Sequence, residues 1–338
     1  MLPTLLADPA RAAVLLMIDG LGDTLLRTHA ADAPFLAALR NDGPVSVGFP
    51  SSTVVSLASL GTGRPPSEHG IVGTSFRVAP DVLMDVLKWT GPDDLREAFP
   101  PEEVQPLPTL LERATVVSSR AFKGSGLTRA ALRGGSFRGV HALGDLAAEI
   151  LHAVEEPGLV YGYHADLDAM GHLYGPGSLP WRLQLSQVDR LVETLAERLP
   201  AGSLLAVTGD HGMVTMRRTV DADTDPALRA GVAMVGGDPR SRHVYAEPGA
   251  LADVLATWQA MLGDAAWTVP GQQAIDEGWF GAASSRFASR IGDVVVAARD
   301  DFGVIRSVAE PFLSRLPGQH GSLTPDELLV PLLVFRRD

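Results

Sequence analysis

Short apolar runs alternate with helical patterns along this 338-residue chain, and this alternation limits the fold that it can adopt. The apolar runs occupy residues 14–18, 114–118, 159–163, 204–208 and 329–335. Each run is apolar at consecutive positions, as expected of strands that are buried on both faces. Helical periodicity covers residues 145–155 and 183–199, and the second helix is expected to end at Pro200. The pattern predicts an α/β fold, a three-layer α/β/α sandwich around a mostly parallel central sheet.

The domain organisation follows from the length and from one irregular region. A chain of 338 residues can form one large α/β domain, and we expect residues 1–338 to be a single domain. The segment that begins near Arg77 is rich in Pro and Asp and lacks periodicity. We therefore predict a cap or insertion within about 77–140, close to the functional site. The sequence contains no internal repeat that would indicate an array.

Charge and composition exclude several classes of partner. The formal net charge of −12 argues against a nucleic-acid polymer or an anionic membrane as an obligatory partner. The negative net charge does not exclude an anionic small molecule as a ligand, because bound metal ions reverse the sign of the charge locally. No apolar stretch approaches the roughly 20 residues of a membrane span, and the N-terminal apolar run lacks a basic region before it. We expect no membrane span and a cytoplasmic location; the oligomeric state is not predicted.

Carboxylates and imidazoles lie next to most of the predicted strands. In open parallel sheets, ligands bind beyond the carboxyl ends of the strands, so the residues found there are candidates for a site. They are Asp19, Asp168, His172, Asp210, His211 and, before the last strand, His320.

Each of these residues also has a plainer interpretation. A single Asp after a strand often forms a turn or caps a helix, Asp168 and His172 have the spacing of a helical surface pair, and Gly209-Asp-His-Gly can be a tight turn. Three carboxylates and three imidazoles at one sheet edge are better explained by a divalent metal, since Zn²⁺ binds His nitrogen and Asp oxygen. One ion needs three or four ligands, so six candidates indicate two ions.

A further candidate lies in the segment FPSSTVVSLASL, residues 49–60. The pattern predicts a helix start with Ser51 or Ser52 as the N-cap residue. A hydroxyl at this place lies near the positive end of the helix, where an anion is favoured. The alternative is that these hydroxyl residues only cap the helix.

Together, these segments resemble the alkaline phosphatase superfamily, most closely its nucleotide pyrophosphatase/phosphodiesterase branch. The motif of that branch around the nucleophile is matched by FPSST at 49–53 and LGTGRPPSEHGI at 60–71. Its later motifs are matched by DAMGHLYGP at 168–176, DHGM at 210–213 and GQHG at 318–321. The resemblance covers residues 14–321, almost the whole chain.

The resemblance implies a residue-by-residue assignment of the site. Thr53 would be the nucleophile, and the ions would be two divalent metals, Zn²⁺ by family precedent. One ion would be bound by Asp168, His172 and His320, and the other by Asp19, Asp210 and His211 together with Thr53.

The implied activity is metal-dependent hydrolysis of a small phosphate ester through a covalent phospho-threonine, as in a phosphodiesterase or nucleotide pyrophosphatase. The alternatives are a phosphomonoesterase or a phosphonate hydrolase of the same superfamily. A metal-binding pseudoenzyme is a further alternative, which the complete set of ligands and nucleophile disfavours.

Two positions bear on the substrate. The family has Asn, which binds a phosphate oxygen, where this chain has Thr74, and a hydroxyl has a shorter reach than an amide. A phosphomonoester dianion favours an additional cation, and Lys123 in the segment SSRAFKGSG, or Arg120, is a candidate for it. Because the motifs are most similar to those of the diesterase branch, we expect a preference for diesters, with Thr74 and Lys123 as substrate-binding candidates.

Overall fold

The computed structural model describes residue 8 and residues 10–41, 43–282 and 286–338. Its strands are β1 (Ala12–Ile18), β2 (Arg40–Asn41), β3 (Val45–Ser46), β4 (Ser75–Ala79), β5 (Val82–Asp85), β6 (Thr115–Ser119), β7 (Ser136–Val140), β8 (Gly158–His164), β9 (Ser203–Gly209), β10 (Val214–Thr215), β11 (Arg218–Asp221), β12 (Val232–Asp238), β13 (Ser241–Ala246), β14 (Ala266–Pro270), β15 (Val294–Ala298), β16 (Phe302–Ile305), β17 (Gly318–Gln319), β18 (Leu329–Val330) and β19 (Leu332–Arg336).

The α-helices are α1 (Asp23–Thr28), α2 (Pro34–Ala38), α3 (Thr53–Thr62), α4 (Pro66–His69), α5 (Pro101–Val104), α6 (Gly126–Ala131), α7 (Leu143–Ala153), α8 (Asp166–Tyr174), α9 (Leu179–Arg198), α10 (Pro226–Arg229), α11 (Leu251–Leu262), α12 (Gly271–Asp276) and α13 (Pro325–Leu328). Short 3₁₀ helices lie at Ala30–Asp32, Arg120–Phe122, Gly263–Ala265, Ala288–Arg290 and Leu313–Arg315. No helix in the described ranges combines the length and the apolar character needed to cross a membrane.

A mostly parallel sheet forms the centre of the fold. Within the described residues it has seven strands in the order β2-β19-β9-β1-β8-β6-β7. Strand β1 pairs in parallel with β8 and β9, β6 pairs in parallel with β7 and β8, and only β19 introduces antiparallel pairs. The predicted α/β fold class is confirmed. Each of the five predicted runs contributes a strand, and the last run is split at Pro331, whose backbone has no N–H group for pairing.

Strand β1 shows why the sheet needs a layer of helices on each face. Successive side chains of a strand point to opposite faces, and all seven residues of β1 are buried. Leu15 and Met17 belong to a core cluster that includes Val54 of α3. Val14, Leu16 and Ile18 belong to a second core cluster, formed with side chains of α7 and α9. One core therefore lies on each face of the sheet, between the sheet and the helices on that face, and this gives the predicted three layers.

The cap or insertion predicted within about 77–140 stays a prediction. Strands β6 and β7 of this range belong to the central sheet. The β4–β5 hairpin lies outside the central sheet. The sequence analysis missed a second, four-stranded sheet in the order β12-β13-β15-β14, which has its own core around Trp258. Its β13 carries Arg242 and His243 at buried positions, and such residues conceal a strand pattern.

A buried ion pair connects this small sheet to the segment that contains His320. Arg240, in the turn between β12 and β13, donates to both carboxylate oxygens of Glu327 in α13, at 3.0 and 2.7 Å. Both side chains are fully buried. The Glu327 carboxylate also accepts the N–H of Ser322 at 3.0 Å, two residues after His320. The pair therefore stabilises the backbone that positions His320.

We expect Glu327→Gln to lower the free energy of unfolding by about 3 kcal/mol or more, because it leaves the buried Arg240 charge without its counter-ion. Chemical denaturation monitored by circular dichroism measures this change. Glu102→Gln is the control, since Glu102 pairs with Arg129 at the surface and exposed pairs contribute little. Equal denaturation midpoints for the two variants would contradict a stabilising role of the Arg240–Glu327 pair.

Candidate active site

The candidate residues meet at the carboxyl ends of three neighbouring strands. Asp19 directly follows β1, Asp210 directly follows β9, and Asp168 lies in α8, shortly after β8. Because β9, β1 and β8 are adjacent and parallel, their ends lie at the same edge of the sheet. The edge chosen from the sequence is therefore where the structure places these side chains.

Glycines on both sides of Asp210 and His211 allow this segment to pass between other backbone segments. A Cβ atom at Gly209 would lie 2.2 Å from the carbonyl oxygen of Leu21, and one at Gly212 would lie 1.9 Å from that of Asp326. Neither distance is possible for a real side chain. The close packing leaves Asp210 and His211 fully buried, and the two residues form part of a site rather than a surface turn.

Two groups of three side chains can each hold a metal ion. One group is Asp19, Asp210 and His211, and the other is Asp168, His211 and His320; within each group the candidate ligand atoms lie within 4.8 Å of one another. His211 belongs to both groups. The assignment by family resemblance has His172 with Asp168 and His320, and His172 Nε2 lies 3.4 Å from Asp168 Oδ2. The six predicted ligands are thus together, with His172 beside the second group.

Hydrogen bonds at Nδ1 orient all three histidines. The Nδ1 atoms of His172, His211 and His320 lie 2.7, 2.9 and 2.9 Å from backbone carbonyl oxygens. A carbonyl can only accept, so each Nδ1 carries a proton, and each Nε2 presents a lone pair when the ring is neutral. Orientation of a ligating histidine by a carbonyl at its other nitrogen is typical of metal sites. The residues therefore fit a divalent cation.

The carboxylates of the site carry charge that the protein only partly compensates. Asp210 Oδ1 accepts the N–H of Gly20 at 3.0 Å. Asp210 Oδ2 and Asp168 Oδ1 are buried and have no hydrogen-bond partner among the described residues. Burial and the neighbouring Asp19 carboxylate raise the pKa of Asp168, and they raise the pKa of Asp210 to about 7. Buried acceptors of this kind need a proton or a cation, and a divalent cation satisfies both.

Thr53 lies beside the first group, at the start of a helix. It is the first residue of α3, and its Oγ1 is 3.2 Å from His211 Nε2 and 3.5 Å from Asp19 Oδ1. Neither serine before it caps the helix with its side chain: Ser52 occupies the N-cap position without a capping bond, and Ser51 donates to the carbonyl of Ser322. The predicted N-cap position of Ser52 is confirmed, but its side chain makes no capping bond, and the hydroxyl of Thr53 lies beside the ligand group.

The two substrate-binding candidates lie in different settings. Thr74 Oγ1 donates to Asp238 Oδ2 at 2.7 Å, so its proton is directed at a protein carboxylate. Asp238 is buried, and burial raises its pKa to about 7. Lys123 is exposed, directly after the 3₁₀ helix Arg120–Phe122. Substrate binding by Thr74 and by Lys123 stays a prediction.

Tyr163 is a site residue that the sequence analysis missed. It lies in β8, is almost fully buried, and donates its phenolic proton to Asp19 Oδ2. Its place within an apolar run is typical of a core residue. Its position one residue before the end of β8 is the one available signal, because side chains at strand ends reach the ligand edge.

A family model covers most of the chain. The sequence profile described as type I phosphodiesterase / nucleotide pyrophosphatase matches residues 13–323. The catalytic subunit of mouse GPI ethanolamine phosphate transferase 3 is 26% identical over 195 residues. That match covers 54% of this chain and 16% of the transferase, so the chain spans only a small part of this relative.

Solved structures show the same fold at low sequence identity. Human ectonucleotide pyrophosphatase / phosphodiesterase 5 superposes with a TM-score of 0.72 at 17% identity, over 96% of this chain and 89% of that chain. Phosphonoacetate hydrolase from Sinorhizobium meliloti, in complex with phosphonoformate, superposes with a TM-score of 0.69 at 20% identity, over 97% and 91% of the two chains.

Proposed function

The chain belongs to the type I phosphodiesterase / nucleotide pyrophosphatase family of phosphoric ester hydrolases, and we propose that it hydrolyses small phosphodiesters through a covalent intermediate on Thr53. The observation that carries this proposal is the position of the Thr53 hydroxyl, 3.2 Å from His211 Nε2 and beside the Asp19–Asp210–His211 group. A hydroxyl next to a cation site at a helix start is suited to attack the phosphorus atom of an anionic ester.

Two divalent ions, which we propose to be Zn²⁺, complete the site. Asp19, Asp210 and His211 would hold one ion, and Asp168 and His320 would hold the other together with His172. When bound, such ions lower the pKa of a coordinated hydroxyl and compensate the charge of the phosphate oxygens.

The chemical step uses one side chain as nucleophile. Thr53 Oγ1 loses its proton and forms a bond to phosphorus, while the bond from phosphorus to the leaving oxygen breaks. The leaving oxygen takes up one proton, which balances the proton that Thr53 releases. Water then cleaves the Oγ1–P bond and restores the free hydroxyl. Because Thr53 is the first residue of α3, its Oγ1 is held in place by the helix while both steps occur.

Relative rates on three substrates test the class of ester. We expect kcat/KM to be higher for bis(p-nitrophenyl) phosphate than for p-nitrophenyl phosphate or phosphonoacetate, because the dianions favour a further cation and Lys123 is exposed. Lys123→Ala is compared with Lys88→Ala, a change at the other lysine, which is exposed and pairs with Asp85. A monoester or phosphonate preference that is lost only in Lys123→Ala would replace the diesterase assignment by the alternative.

The missed tyrosine gives a prediction about metal affinity. Tyr163→Phe removes only the hydroxyl that donates a hydrogen bond to Asp19. Loss of a hydrogen bond to a metal-ligating side chain typically weakens metal binding about 10–100-fold. Competition with a fluorescent Zn²⁺ chelator measures the affinity. Tyr161→Phe is a matched control, because Tyr161 is also buried in β8 and its hydroxyl has no partner among the described residues. Equal affinities of the two variants would exclude an influence of Tyr163 on the site.

A further inference from the structure

A cleft of about 630 Å³ lies between elements of the small sheet and elements of the central fold. The small sheet contributes Trp267 of its edge strand β14 and Arg299, which directly follows β15. Further lining residues come from α1, from residues 213–215 and from the start of α13. Of the described residues that line the cleft, none is Thr53 or a predicted metal ligand. A cleft of this volume is in the range of small-molecule sites, and its lining is distinct from the candidate active site.

The guanidinium group of Arg299 is partly buried in this cleft and has no counter-ion. It lies over the ring of Trp267, 4.2 Å from the ring centroid. Its Nε is buried without a hydrogen-bond partner, and its side chain forms no ion pair within the described part of the chain. The buried side chains of Arg240 and Arg242, in contrast, both pair with carboxylates. Because a partly desolvated charge without a partner is unfavourable, binding of an anion at Arg299 would be stabilising.

Stacking on Trp267 limits the kind of anion that suits Arg299. An arginine that lies flat on an aromatic ring keeps its N–H groups in the plane of the guanidinium, where its edge is available to a ligand. Two parallel N–H groups match the two oxygen atoms of a carboxylate. The cleft therefore has a preformed carboxylate-binding edge.

The other charges in the lining indicate that the ligand also carries a cation. Asp300, Asp301 and Asp326 line the cleft together with Arg299. Asp301 Oδ1 pairs with Arg218 Nε at 2.6 Å, whereas Asp300 and Asp326 form no ion pair among the described residues. Both are exposed, and Arg299 is partly buried. Negative charge near the solvent and positive charge deeper in the cleft disfavour a dianion and favour a ligand with one charge of each sign.

We infer that this cleft binds a small zwitterion, an α-amino acid with an apolar side chain. Its carboxylate would bind Arg299, and its ammonium group would lie towards Asp300 and Asp326. Apolar side chains such as Leu25 also line the cleft and suit the apolar part of the ligand. This binding site goes beyond the proposed function and does not depend on chemistry at Thr53.

Three ligands with the same phenyl group test the inference by isothermal titration calorimetry of the metal-loaded protein. L-Phenylalanine carries both charges, 3-phenylpropanoate lacks the ammonium group, and 2-phenylethylamine lacks the carboxylate. We expect L-phenylalanine to bind at least about tenfold more tightly than either analogue, because each charged group adds a charge-assisted interaction. Absence of L-phenylalanine binding, or an equal affinity for either analogue, would overturn the inference.

Arg299→Gln distinguishes this cleft from other places that can bind an amino acid, including the metal ions. The variant is expected to weaken L-phenylalanine binding at least about tenfold and to keep the midpoint of thermal unfolding, because the charge that it removes has no partner in the protein. Arg77→Gln is the matched control. Arg77 also lies over an aromatic ring, 4.5 Å from the centroid of Tyr245, but it donates to the carbonyl of Ser289.

Two results would refute the assignment to this cleft. They are unchanged binding of L-phenylalanine in Arg299→Gln and equal weakening in Arg299→Gln and Arg77→Gln. Neither result changes the expected hydrolysis of bis(p-nitrophenyl) phosphate, so failure of this inference is distinguishable from failure of the proposed function.

Discussion

Replacing Thr53 with alanine is expected to lower kcat on bis(p-nitrophenyl) phosphate by at least about 10³-fold, because loss of a covalent nucleophile removes most of the catalysis that depends on it. The fold and the metal content are expected to stay unchanged, since Thr53 is one residue at the start of α3 and contributes little to the core. Steady-state kinetics, with metal analysis of the same sample, measures both quantities.

Thr53→Ser provides the matched comparison. Serine keeps a hydroxyl at the same place, so this variant is expected to keep measurable turnover and to form a covalent phosphoryl adduct that mass spectrometry detects at residue 53. If Thr53→Ala kept activity within about tenfold of the parent, covalent catalysis through Thr53 would be wrong. Equal losses in the alanine and serine variants would indicate a packing role for Thr53 instead of a chemical one.

The central sheet could be predicted because its signal is local. A run such as residues 14–18 is apolar at every position, and a strand covered on both faces has that pattern. The small sheet gave no such signal. Its β13 contains buried Arg242 and His243, whose partners include the carbonyl of Val304, the carboxylate of Glu310 and the carbonyl of Val72. These partners come from distant parts of the chain, so the burial of Arg242 and His243 follows only from tertiary structure.

The sequence predicts which residues form the candidate site, but not how their side chains are arranged. Asp19, Asp210 and His211 follow strands whose ends must meet, so their proximity follows from the topology. The position of His211 in both ligand groups depends on ångström-scale packing, including the approach of Leu21 to Gly209. Tyr163 was missed for a different reason, since a strand pattern does not distinguish a tyrosine in the core from one that binds a carboxylate.

Removal of metal is expected to abolish activity, and readdition of Zn²⁺ is expected to restore it. The physical reason is a set of three carboxylates, of which Asp19 and Asp210 are buried and Asp168 is partly buried. Asp168 and Asp210 each have a buried oxygen atom without a partner among the described residues. Such a set binds divalent cations tightly when its histidines present free Nε2 atoms. Dialysis against a chelator, followed by elemental analysis and a diesterase assay, tests this expectation. Active protein without any bound metal would contradict it.

Variants of two buried aspartates distinguish direct metal ligation from a general effect of buried negative charge. Asp210 and Asp238 are both buried, and burial raises the pKa of each to about 7, but only Asp210 belongs to a ligand group. We expect Asp210→Asn to lower the metal content from about two ions per chain towards one and to lower kcat at least about 10²-fold, as loss of a metal ligand does. Asp238→Asn is expected to keep both ions, because Asp238 contacts Thr74 instead. Equal metal loss in both variants would mean that the negative charge of this region, and not direct ligation by Asp210, holds the ions.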